Sequence, residues 1–422
     1  MTISERPFSL RSVAVAVYLP TLLFSIGEGC IIPIIPTIAS NLGASLAVAG
    51  FIAAMIMLGE LLGDIPSGWV VARIGERTAM IGGSVLAMVG VGVCLLAGNP
   101  WVLGAGILII GIATAVFGLA RHAFMTTYVP LRYRARALST LGGVFRAGWF
   151  VGPFVAAALL HVTGNSQAVF WVFLATCIGA IVLLFVLPDP EKMFGTPDRT
   201  AKDGASLTTG ELEAVDERVG LFTAIRRNAG VLLRLGTGAG LIAALRASRT
   251  VILPLWALSI GISERDTALI IGVAGAIDFA LFYSSGQVMD RWGRIWVAVP
   301  SMIGLGLGHL ALAFTHDVPG NVQWFIGVAM FLSVANGVGS GILMTLGADL
   351  APPDAPAPFL GAWRFTGDLG QALAPLAVSA ITAVASIAVA AGVMGVLGLA
   401  GAALLARYIP RFAPRKPRVA RS

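Results

Sequence analysis

Charge is scarce in this chain: 12% of its 422 residues are charged, against 57% hydrophobic and a mean hydropathy of +0.89. An ordinary soluble domain carries about 25% charged residues. A chain this apolar cannot cover a water-facing surface, which leaves lipid as its solvent. Cysteine is nearly absent too. Cys30, Cys94 and Cys177 are scattered through apolar segments, which excludes a disulfide framework or metal cluster and leaves small packing residues. The four histidines, His122, His161, His309 and His316, form no HExxH, and the chain has neither a G-x-S-x-G nor a Walker A element. An enzyme, or a pump driven directly by ATP, finds no footing here, and no metal or cofactor is expected. His309, alone in "GLGLGHLAL", is read as a packing or hydrogen-bonding residue.

Long apolar runs are what the chain has instead. Twelve of them span roughly 12–37, 46–71, 78–97, 101–128, 138–162, 167–187, 230–257, 265–288, 295–315, 322–348, 357–383 and 385–408. Each is long enough to cross ~30 Å of hydrocarbon. No signal-peptide cleavage pattern precedes the first, so it counts as a retained helix. The expected class is an all-α membrane protein with twelve transmembrane helices. The net charge of +7 is placed in a way that speaks against nucleic acid. With the N-terminus set in the cytoplasm, 21 of the 28 Lys and Arg fall on inner segments, and the outer loops receive only Arg265. That is the positive-inside pattern of a multi-pass cell-membrane protein with both termini cytoplasmic. The basic tail "RFAPRKPRVARS" is expected to rest near anionic headgroups.

Residues 188–228 break the apolar pattern with Pro, Gly, Asp, Glu and Lys, as a solvated cytoplasmic linker does. Six runs lie on each side, which divides the chain into bundles at 1–187 and 229–422. The halves also repeat. "GWVVARIGER" at 68–77 and "GQVMDRWGR" at 286–294 share glycine and arginine at an offset of 218, and Pro36/Pro254, Gly143/Gly361, Arg146/Arg364 and Gly152/Gly370 keep the same offset. Glu28 aligns with Arg246 and Glu60 with Asp278. A parallel repeat separated by an even number of spans gives two halves related by an axis along the membrane normal, with a substrate site between them.

This combination resembles the major facilitator superfamily, whose loop motif G-x-x-x-D-R-x-G-R joins helices two and three. The second-half copy is complete at Gly286, Asp290, Arg291, Gly293 and Arg294. The first keeps Gly68, Arg73, Gly75 and Arg77 but has Ala72 at the acidic position. "GDIPSG" before it resembles the second helix of bacterial drug-efflux members. "GWFVGP", with Gly148, Gly152 and Pro153, partly matches the antiporter motif of helix five; its usual trailing glycines are Ala156 and Ala157 here. The resemblance covers essentially the whole chain. It implies a twelve-helix secondary transporter of two pseudo-symmetric bundles, nearest in motifs to drug/proton antiporters.

The loop motif has a physical reading. Its glycines let helices approach and the chain turn, its arginines stay at the headgroups, and its Asp can latch onto the positive N-terminal end of a helix in the other half. On that reading Asp290 carries more of the cytoplasmic closure than Ala72 does. Asp64, one turn before Gly68, is assigned to the same network.

Charges inside a span cost about 2.5–3.5 kcal/mol each on insertion scales, so they face the bundle interior and mark function. Glu28, flanked by glycines and followed by Pro33 and Pro36, is the first candidate for proton coupling. Glu60 and Asp278 follow, the latter among apolar neighbours in "GAIDFALF". Arg246 and Arg249 share a face of helix seven. Arg121 lies in helix four, with His122 expected to point elsewhere, and Arg146 and Arg364 are repeat mates in helices five and eleven. Arg364 and Asp368, four apart, are expected to neutralise each other. The runs "GLGLG" and "NGVGSG" are read as close-packing positions, not phosphate loops. The reading that results is a proton-coupled exporter of a small organic compound, working as a monomer in the bilayer. An organic-anion symporter or exchanger is the alternative that the arginines suit.

Overall fold

In hydrocarbon every backbone N–H and C=O must be satisfied within the segment, so apolar runs of this length become helices. The computed structural model describes residues 14–129, 131–187, 226–352 and 356–412; the linker from 188 to 225 and the basic tail after 412 lie outside them. Eleven helices are long and apolar enough to span a membrane, and a pair bent by 43°, Ala16–Ile31 with Ile35–Asn41, makes a twelfth span. That pair is α1. The others are α2 Leu46–Ile74, α3 Glu76–Leu95, α4 Pro100–Tyr128, α5 Leu131–Thr163, α6 Ala168–Val186, α7 Ala229–Ser259, α8 Glu264–Trp292, α9 Ile295–Thr315, α10 Asn321–Leu350, α11 Pro356–Val384 and α12 Ile387–Phe412. Side chains that accept from the first free backbone N–H groups set several starts. Ser45 accepts from Val48, Asn99 from Trp101 and Val102, and Ser263 from Asp266.

Two spans depart from the single helices expected. α1 bends where Pro33 and Pro36 each remove a backbone donor and then continues to Asn41. α10 stops at Val338 and restarts at Ile342, across "GSG" with Gly341 at φ +78°. Such a break inside a span survives only where its freed groups find partners, and they do. Ser285 Oγ bonds the carbonyls of Val338 and Ser340, Ser301 Oγ that of Ala335, and Arg246 that of Gly339.

Both halves pack alike. α1 lies on α5 and α6, α2 on α4, and α3 on α4 and α6; the second half repeats this as α7 on α11 and α12, α8 on α10, and α9 on α10 and α12. Helices in lipid gain little from hydrophobicity and associate through close contact of small residues. A Cβ at Gly152 would meet Cys30 N at 2.6 Å, and one at Gly29 would meet Trp149 Cα at 3.1 Å. The "GWFVGP" glycines thus serve the α1–α5 crossing, and Gly370 does the same against Gly240 in α7–α11. The glycines of "GLGLG" press against Ala335, Gly395 and Leu332, as expected of packing positions. Trp171, Phe185 and Val396 point outward as a lipid-facing skin.

Two seams join the halves, α5 with α8 and α2 with α11. At the end opposite the α2–α3 and α8–α9 turns, Ser166 donates to Glu264 at 2.9 Å and Ser379 to the Ala47 carbonyl at 2.6 Å. Toward the turn end, Ile65, Trp69 and Tyr283 are exposed.

Candidate functional site

The charged groups gather into two clusters, one around Glu28 of the first half and one around Asp278 of the second. In the first, Glu28 is wholly buried on α1. Its carboxylate accepts from Thr114 Oγ1 on α4 at 3.0 Å and from Trp149 Nε1 on α5 at 2.8 Å. Arg121 on α4 is buried in the same region, its guanidinium 4.3 Å from the Phe145 ring centre and within electrostatic range of both Glu28 and Glu60. Glu60, on α2, accepts from Gln371 Nε2 across the seam at 2.9 Å. Two carboxylates therefore share one guanidinium, with three neutral donors around them. His122 points away and bonds its own helix at Gly118, as expected.

The second cluster inverts that ratio. Arg249 of α7 and Arg146 of α5 stand 3.7 and 3.6 Å from the Asp278 carboxylate, and Asn336 Nδ2 donates to it at 2.5 Å. Arg246, one turn before Arg249, feels the charges of Arg146, Arg249 and Asp278 and donates to the Gly339 carbonyl at 2.6 Å. The apolar sequence around Asp278 gave no hint of this, because its partners come from three other helices. Three guanidiniums face one carboxylate. Burying like charges together is costly unless an opposite charge joins them, and the opposite charge here is that of Asp278.

Arg146 also crosses the α5–α8 seam, as Arg364 crosses α2–α11. Arg364 bonds Asp64 in the first half and Asp368 on its own helix, each at 3.3 Å. The Arg364–Asp368 neutralisation holds, and Asp64 joins it instead of the α2–α3 loop. Among the aromatic residues of this region, Phe279 stacks on Phe150 at 5.2 Å and Phe282 lies under Arg146. His309 is buried between Ser248 and the Leu305 carbonyl, a packing role as expected.

The loop motifs work differently from the latch reading. Asp290 is 83% exposed and meets Arg294 on its own turn at 3.6 Å. Arg294 in turn bonds Asp349 at the end of α10 at 2.7 Å. The matching first-half position is Glu76, which accepts from Thr127 at the end of α4. In both halves this position ties the loop to the fourth helix of its own half. Arg77 donates to the carbonyls of Leu184 and Leu187 that end α6, and Arg73 stacks on Trp69. Arg291 lies beside Trp292. Gly75 and Gly293 are needed for their positive φ, +81° and +98°. Gly286 has open space where a Cβ would stand, and Gly68 has one atom at 4.0 Å, so neither is a close-approach glycine.

Thr114, Trp149, Asn336 and Gln371 are the site residues that sequence reasoning missed. The signal was present for Asn336 and Gln371, which are uncharged polar side chains in apolar spans.

The family model for the Major Facilitator Superfamily matches residues 17–375 and again 238–422. The chain belongs to this superfamily. Among its superfamily relatives, the cis,cis-muconate transport protein of Acinetobacter baylyi is 23% identical over 349 residues, covering 81% of this chain and 80% of that one. Inositol transporter 4 of Arabidopsis thaliana is 26% identical over 156 residues, 37% of this chain. The chain spans less than half the length of the inositol transporters it matches, 27% in that case. The D-xylose-proton symporter superposes with a TM-score of 0.72 at 15% identity, over 96% of this chain and 99% of that one. This is a multi-pass membrane protein of the superfamily's fold.

Proposed function

We propose that the chain carries a small organic carboxylate across the membrane together with protons, by alternating access between its halves. One observation carries the reading: the guanidiniums of Arg146 and Arg249 flank the single carboxylate of Asp278, and that of Arg246 lies within electrostatic range of all three. A guanidinium presents a fork of N–H donors that matches a carboxylate, and a surplus of two such forks is a binding site for an anion. The likeness to a muconate transport protein over most of both chains supports the same ligand chemistry. Glu28 and Glu60 supply the proton side. Each is a carboxyl that accepts from neutral donors within electrostatic range of Arg121, so gaining a proton changes the charge that Arg121 faces. One chain contains both clusters, so a monomer is the working unit, with the α2–α3 and α8–α9 turns on the cytoplasmic side.

Proton-driven export remains the second reading, since the "GDIPSG" and "GWFVGP" segments resemble drug-efflux members. Gly148 and Gly152 are fully accounted for by the α1–α5 crossing, so their presence gives no direction of transport.

The test is uptake into sealed proteoliposomes with an inward proton gradient and a pH-sensitive dye inside. Labelled cis,cis-muconate, benzoate, myo-inositol and D-xylose are offered in turn, to wild type and to Glu28→Gln. Carboxylate accumulation with proton entry, both lost in Glu28→Gln, is the expected result. Movement of inositol or xylose and of neither carboxylate overturns the ligand class. Carboxylate movement against the direction of the protons replaces symport by antiport.

A further inference from the structure

Asp278 is the carboxylate that the arginine cluster holds in this structure, and it holds it poorly. Its two guanidinium neighbours stand at 3.6 and 3.7 Å, whereas charged N–H···O bonds settle at about 2.7–2.9 Å. Oδ1 of Asp278 is buried without a hydrogen bond, and so are Nη1 of Arg249 and Nε of Arg246. Buried polar atoms are nearly always bonded, so two guanidinium donors and one carboxylate acceptor here keep unused bonding capacity. The site is largely screened from water: the side chains of Arg249 and Asp278 are 14% and 15% exposed, and that of Arg146 is 29% exposed. Among the described residues only Asn336 makes a full hydrogen bond to the acid. Asp278 also sits on α8, and its contact with Arg146 of α5 is a charged link across that seam between the halves.

Resting on the carboxylate reading above, we propose that Asp278 is an internal stand-in for the substrate. It neutralises Arg146 and Arg249 between transport cycles and yields them to an arriving carboxylate, so loading the site releases the charged tie between α5 and α8. Two consequences follow for specificity and coupling. A neutral solute brings no charge and cannot displace Asp278, so discrimination comes from competition as well as from fit. An anion binds the two conformations unequally, because it removes an inter-half contact that only one of them makes, and such a difference in affinity is what moves a conformational equilibrium. On release the acid takes the arginines back, which keeps the site from trapping its cargo.

The experiment is equilibrium binding of labelled cis,cis-muconate and benzoate to the full chain in lipid nanodiscs, paired with net transport in proteoliposomes. Asp278→Asn keeps the shape and removes the competing charge. Expected are about tenfold tighter binding of whichever carboxylate the wild type takes, slower release, and a fall in net transport. The variant should also melt lower than wild type alone and gain more from the ligand. Asp278→Glu restores the competitor and should return the affinity close to that of wild type. If wild type binds a carboxylate and Asp278→Asn binds it equally or more weakly, the stand-in idea is wrong while the carboxylate reading stands. If wild type binds neither carboxylate, both fall together. Should Asp278→Asn not yield a monodisperse protein, Asn336→Asp adds a second competitor and should weaken binding about tenfold; an unchanged affinity there overturns the proposal.

Discussion

Glu28 and Arg246 occupy the same place in the two halves and carry opposite charges. Around Glu28 the first half sets two carboxylates against Arg121, with Thr114, Trp149 and Gln371 as neutral donors. Around Arg246 the second cluster sets three arginines, Arg146 lent by the first half, near one carboxylate, braced by the broken backbone of α10. A duplicated scaffold has thus been charged in opposite senses; on the function proposed above, one cluster exchanges a proton and the other holds an anion. The scaffold also explains why each cluster is tolerated, since each buried charge has its opposite on an adjoining helix.

The comparison can be broken most severely at Arg121. Arg121→Ala removes the guanidinium within electrostatic range of the buried Glu28 and of Glu60, a loss of about 3 kcal/mol or more for charged groups left uncompensated, read by thermal unfolding in detergent. Arg246→Ala should cost less, about 1.5–3 kcal/mol for a lost charged hydrogen bond, because the Gly339 carbonyl loses its donor while two arginines remain on Asp278. A loss equal to that of Arg121→Ala would mean that the α10 break, not the charge ratio, sets the energy of that cluster. The duplicated loops sharpen the contrast further. Gly293→Ala should cost about 1–2 kcal/mol because its φ is left-handed, while Gly286→Ala, in open helical space, should stay within about 1 kcal/mol of wild type or gain slightly. Smallest of all, Asp290→Asn removes only an exposed pair on one turn and should change unfolding by about 0.3–0.5 kcal/mol. A large effect on transport from Asp290→Asn would revive an inter-half latch that forms in another conformation.

Much of this was legible in the sequence because lipid imposes it. Span number, the repeat and the list of buried charges all follow from apolar length and from the cost of placing ions there. The pairing of those charges was not legible. Asp278 reads as isolated in "GAIDFALF", yet its partners come from α5, α7 and α10. The motif was read with Arg77 in the place of Arg294, whereas the offset of 218 puts Glu76 there, and nothing in the sequence reveals that both positions reach the fourth helix of their own half. The break in α10 hid among glycines whose other members only pack closely, as Gly337 does against Leu281. Arg364 and Asp368 were readable, because neighbours four apart on a helix meet whatever the fold.

The two arginines that cross the seams are repeat mates, but their acids are not. Arg146 meets Asp278, which corresponds to Glu60, whereas Arg364 meets Asp64, four residues farther along α2. Four residues are about one helical turn, roughly 5.4 Å of added lever arm from the middle of the molecule. If one half swings as a rigid beam about that middle, the Arg364 link stretches more per degree than the Arg146 link does. The two clasps would then part in sequence, the outlying one first, giving the motion an order that a perfect twofold would not have.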